Sequence, residues 1–173
     1  MDPIDPTTRE GMKVLTLRAV ELCRLRLTMS GGFEQRFGLY VGSTMEEFTL
    51  STRAAASSLS RILQEAQKEA HRAHAEVLCL MLRRSMVSLN RHCGREQWDS
   101  IFVITQTQRR TAIVMLPFRT TDLGLVFEEL QTGECETESF GAPEVIFRKL
   151  GYVVDPGLLD ETARGRGPGS LWN

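Results

Sequence analysis

A stripe with alternating four- and three-residue spacing runs through Thr52, Ala56, Leu59, Leu63, Ala66, Ala70, Ala73, Val77 and Leu80. A mean period of 3.5 keeps one face of a helix turned toward a partner, so the spacing predicts a single long helix from Thr52 to about Ser88. Ser51 or Thr52 can cap its start, and the polar run from Asn90 to Gly94 supplies its stop. Alanine at positions 66, 70 and 73 makes the seam narrow, which lets a partner backbone come close. The cover for this seam is the chain's own sheet, a second helix or a second copy, and the seam residues Leu59, Leu63, Ala66, Ala70, Ala73, Val77 and Leu80 are the candidate interaction surface.

The other elements are read around this helix. Thr7 and Glu10 have the spacing of a capping box, and Met12, Leu15, Ala19, Leu22 and Cys23 then form an apolar face of a helix to about Thr28. Ser30-Gly31-Gly32 closes it, because glycine takes the left-handed conformation at low cost. Period-2 alternation from Phe33 to Val41, a Gly42-Ser43 turn and the pair Phe48 and Leu50 predict a first hairpin. Ile101 to Ile104 and Thr111 to Leu116, joined through Gln106 to Arg110, predict a second, which Pro117 should close. Thr120-Thr121-Asp122 reads as the cap of a helix from Leu123 to Leu130, with a strand through Leu125 to Phe127 as the competing reading. Gln131 to Glu138 reads as an acidic loop, and Ala142-Pro143-Glu144 opens a last helix that Gly151 ends. The expected fold is α+β, an antiparallel sheet of two hairpins with the long helix packed on one face and helices at either end. With 173 residues and 42% apolar content the chain suits one core, expected over residues 1–160, with 161–173 as a flexible tail.

Charge is unevenly spread. Residues 50–119 hold eleven Lys and Arg against five Asp and Glu, whereas residues 120–140 hold six acids and no base. Four cysteines, at 23, 79, 93 and 135, have no paired spacing and read as reduced thiols. The first residues lack the basic and apolar regions of a secretory signal, and the apolar run Val77 to Leu82 is too short to span a membrane. A soluble, cytoplasmic protein is the expectation.

No catalytic signature emerges. The glycines at 31, 32, 38 and 42 match neither a phosphate-binding loop nor a dinucleotide fingerprint, and no nucleophile elbow occurs. His71 and His74, followed by Glu76, have a spacing that could face one ion, but the two further ligands zinc needs are absent nearby. Cys93, between Arg91 and Arg95, has cations that could favour a thiolate, but it reads as a buried thiol near a turn. Adjacent carboxylates such as Glu46-Glu47 and Glu128-Glu129 point in different directions on a helix or strand, so they read as surface. The expected function is therefore a noncatalytic protein–protein interaction, scaffold or adaptor domain, with a homodimer as the first candidate assembly and no cofactor or metal. The alternative is nucleic-acid binding through an arginine-rich edge of Arg83, Arg84, Arg91, Arg95, Arg109 and Arg110.

Overall fold

A computed structural model describes residues 4–32, 34–42, 44–51, 57–88, 97–140 and 152–154. Its described elements run α1 (Arg9–Ser30), β1 (Arg36–Val41), β2 (Thr44–Thr49), α2 (Leu59–Arg72), β3 (Val77–Ser88), β4 (Gln97–Gln106), β5 (Arg110–Thr121), β6 (Gly124–Phe127), β7 (Gln131–Glu136) and β8 (Tyr152–Val154), with a 3-10 turn at Thr137–Ser139. All strands join one antiparallel sheet in the order β2-β1-β3-β4-β5-β6, with β7 on the other half of the β5 edge and β8 beside β3.

The long helix is the main correction. The segment expected to be helical to about Ser88 is helical only from Leu59 to Arg72, and Val77–Ser88 is a strand in the middle of the sheet. His74 turns the chain, with φ 53°. Around it the Ala73 amide donates to the Glu69 carbonyl at 2.9 Å and the Ala75 amide to the Ala70 carbonyl at 2.8 Å, which satisfies the last carbonyls of the helix. The apolar run from Val77 to Leu82 is buried on both sides, and a strand buried on both sides has no alternation to distinguish it from a core helix.

Two helices cover opposite faces of the sheet, so the molecule has three layers. Leu59, Ile62, Leu63 and Ala66 of α2 pack on Leu78, Leu80 and Leu82 of β3, Phe102 and Ile104 of β4, and Phe37 and Leu39 of β1. On the other face Ala19, Val20, Cys23 and Leu27 of α1 pack on Cys79, Met81, Ile101, Val103, Val114, Leu116 and Phe118. Each fully buried Val, Leu, Ile, Phe or Met side chain among them contributes about 1.5–3 kcal/mol.

α1 begins and ends within two residues of its expected limits, but Thr8 rather than Thr7 is the cap, its hydroxyl accepting from the Gly11 amide at 3.0 Å. Gly31 closes the helix with φ 75°. Pro117 does not end β5, which continues to Thr121. Its missing N–H falls on the side of the edge strands, where the Pro117 carbonyl accepts from Glu128 and residues 128–130 bulge between β6 and β7, so no bond to β4 is lost. The helix expected at Leu123 to Leu130 and the acidic loop at Gln131 to Glu138 are instead the edge strands β6 and β7. The last expected helix, from Ala142, and the tail lie outside the described residues. Among the described residues no helix is long and apolar enough to cross a membrane.

Candidate functional site

Two of the concave surfaces among the described residues bear on function. The larger, a cleft of about 880 Å³, wraps the end of the sheet where the β4–β5 turn, the last turn of α2 and the start of α1 meet. Its floor is a polar chain tying four elements together. Gln67 Nε2 donates to Gln106 Oε1 at 2.6 Å, and Gln106 Nε2 donates to Thr111 Oγ1 at 2.9 Å. The Thr111 and Thr137 hydroxyls lie 3.1 Å apart, and Thr137 Oγ1 donates to the Thr107 carbonyl at 2.9 Å. Gln106 and Thr111 are only 7% and 1% exposed, so these dipoles are fixed in place by burial and mutual bonding.

Charge sits on the rim of this cleft. Arg9 and Arg110 both bond Glu134, with N–O distances of 3.0 and 2.9 Å. Slight desolvation raises the Glu134 pKa, but the bonds from Arg110 and Arg9 outweigh it and hold the carboxyl below its usual range. Arg109 stands at the tip of the turn, where Thr107 Oγ1 accepts from the Arg109 and Arg110 amides at 3.3 and 3.0 Å. His71, His74 and Glu76 line the opposite rim.

The second surface is a cleft of about 470 Å³ between α1 and the β1–β2 hairpin, lined by Ile4, Val14, Leu15, Leu22, Tyr40 and Met45 among others. It adjoins β2, whose six residues are all exposed. Among the described residues β2 pairs with β1 alone. The Leu50 amide donates to the Gln35 carbonyl, so by strand alternation the N–H groups of Met45, Glu47 and Thr49 point away from the sheet. On the α2 face Phe48 stacks on Phe37, with ring centroids 5.1 Å apart, and on the α1 face Arg36 Nη1 donates to Glu47 at 2.8 Å.

Comparison with protein-family models, curated proteins and solved structures finds no match. The site is therefore read from geometry alone.

The residues picked out from sequence are scattered by the fold. Of the seam, Leu59, Leu63 and Ala66 are buried against the chain's own sheet, and Ala70 and Ala73 pack partly against the same core. Val77 and Leu80 belong to β3, and their odd spacing in a strand sends them to opposite faces. The arginines do not form one edge. Arg83 bonds Asp99 at 2.9 Å and lies over the Phe118 ring on the α1 side, while Arg84, 9% exposed, donates to the Ser57 carbonyl on the other. Leu78 lies opposite Gln106, so Arg84, six residues further along β3, is about 20 Å from the turn that carries Arg109 and Arg110. Arg91, Arg95 and Cys93 lie outside the described residues. His71 and His74 share the polar cleft, but the described residues bring no three His, Cys, Asp or Glu side chains together as metal ligands. Sequence reading missed the Gln67–Gln106–Thr111–Thr137 chain, because its members come from four elements and have no common spacing.

Proposed function

We propose that this chain is a noncatalytic protein-interaction domain that accepts an extended segment of a partner protein along β2. The observation that supports this reading is an edge strand exposed along its whole length, with outward N–H groups at Met45, Glu47 and Thr49, beside an apolar cleft. An added strand would take those main-chain bonds, and alternate side chains of the partner would reach toward the cleft. Glu46 makes the edge acidic, Glu47 being paired with Arg36, so the complementary segment carries Lys or Arg opposite Glu46. A second copy suits this edge poorly. In antiparallel pairing about a two-fold axis, the registers centred on the glutamates set Glu46 or Glu47 against a glutamate of the other copy, which is destabilising.

The test uses short synthetic peptides that alternate β-branched residues with Lys, and matched peptides with Glu, measured by fluorescence anisotropy. Saturable binding of the Lys series is expected. It should be retained by Glu47→Ala and abolished by Glu47→Pro, which removes an outward N–H without touching the β1 ladder. Binding that Glu47→Pro leaves intact, or a light-scattering mass showing that β2 is already occupied by a second copy, overturns the proposal.

A further inference from the structure

We infer that the outward face of α1 is the surface through which two copies of this chain associate, with their α1 helices antiparallel. This face is separate from β2 and from the alanine seam, and it does not depend on what β2 binds.

The placement of α1 defines the face. Thr16, Val20, Cys23 and Leu27 hold the helix on the sheet, Thr16 through a 2.8 Å bond between its hydroxyl and that of Thr105. Val14, Arg18, Glu21 and Leu25 repeat the same spacing two residues earlier, about 200° around the helix, so they point away from the sheet. This outward row is not the charged face that a helix on a protein surface normally presents. Leu25 and Met29 are 56% and 78% exposed, Leu17 beside them is 38% exposed, and Leu15 and Leu22 continue the apolar surface into the cleft toward β1 and β2. A contiguous apolar surface of this kind marks a contact site.

The order of residues along the row specifies its cover. In antiparallel pairing about a two-fold axis midway between Ala19 and Val20, Val14 lies against Leu25 of the other copy and Arg18 against Glu21, and symmetry makes each contact twice. Arg18 has no hydrogen bond or ion pair with the described residues. Glu21 meets Arg24 through one carboxylate oxygen at 3.2 Å, an exposed pair of small worth, which leaves its other oxygen for a second guanidinium. Other arrangements lose this match. Parallel pairing in register sets Arg18 on Arg18 and Glu21 on Glu21, and a slide of seven residues in the antiparallel pair sets Arg18 against Thr28 or Val14. The row is thus complementary to itself in one arrangement, as a closed two-fold interface requires.

The experiment is the light-scattering mass of the full chain over a concentration series, for the wild type, Leu25→Glu, Arg18→Glu, Glu21→Arg, the combined Arg18→Glu/Glu21→Arg and Glu47→Pro. The three α1 positions are exposed, so these variants are expected to fold, which circular dichroism and thermal melts check. The wild type is expected to be a dimer whose dissociation constant rises roughly tenfold or more in Leu25→Glu and in each single charge reversal. The combined variant keeps the wild-type net charge and restores the opposed pair, so its dissociation constant should return close to the wild-type value. Glu47→Pro should leave the dimer intact, which separates this face from β2. A wild-type monomer at every concentration, a dimer indifferent to Leu25→Glu, or a combined variant no better than the single reversals overturns the inference. So does a dimer lost in Glu47→Pro, since that outcome places the second copy on β2.

Discussion

Cys79 and Cys23 lie together beneath α1, and burial pushes their thiols up to about 12 and about 11 from an ordinary value of 9.0. The cause is desolvation of the thiolate, which the arginines near Cys23 and the Thr105 hydroxyl near Cys79 offset only in part. Because the folded values lie above the unfolded one, the neutral thiols favour the fold fully below pH 9.0. That contribution is lost as pH rises toward the folded values, since the unfolded chain releases protons that the core retains. The slope is at most about 1.4 kcal/mol per pH unit for each thiol. Urea midpoints should therefore fall between about pH 9 and pH 11, and a Cys23→Ala/Cys79→Ala variant should show a shallower fall. An identical slope in the variant would remove the thiols as the cause. The reduced state expected from cysteine spacing is compatible with Cys23, Cys79 and Cys135 being free, but the pairing of two thiols under one helix was not legible, because their positions are 56 residues apart in sequence and meet only through packing.

The element whose limits decided the architecture is α2, and its end turns on His74. A non-glycine residue in the left-handed region costs on the order of 1–2 kcal/mol, although histidine is among the residues found there more often than most. His74→Gly should therefore stabilise the chain by about 1 kcal/mol in equilibrium denaturation. A destabilised variant would instead mean that the imidazole makes contacts worth more than the backbone strain. The same residue explains why the helix was read too long. Helix stops are recognised by glycine or asparagine, and Ala73-His74-Ala75 offers neither. The seven-residue pattern also continued by coincidence, since Val77 and Leu80 fall on its period while lying on opposite faces of a strand. By contrast α1, both strands of the first hairpin and the β4–β5 pair were legible. Each of these has an amphipathic period, a capping residue or a marked turn that acts locally. The strand through Leu125 to Phe127, the weaker of two readings, is the one that formed, because its pairing with β5 overrides a local helix cap at Thr121.

At the scale of the whole molecule, one sheet carries two separate cores, and protection should follow that layering. Amides of β3, β4 and β5, buried between α1 and α2, should exchange with solvent only at the rate of global unfolding. The outward amides of Met45, Glu47 and Thr49 should exchange fast, as should those of the other edge strands β6 and β7, and hydrogen exchange read by NMR checks the order. Slow exchange at those three amides would mean that the β2 edge is already covered. The sequence by itself determined the class, α+β, the positions of α1 and of two hairpins, and the absence of any familiar catalytic spacing, because these depend on neighbours a few residues apart. Only the tertiary structure decided that the apolar run at Val77 is the centre of the sheet, that the alanine seam is spent on the chain's own core, and that the arginines divide between faces and ends. It alone assembled the polar cleft and left β2 at an open edge. Those outcomes depend on pairings between residues tens of positions apart, and their free energy comes from surface buried in common, which no local pattern encodes.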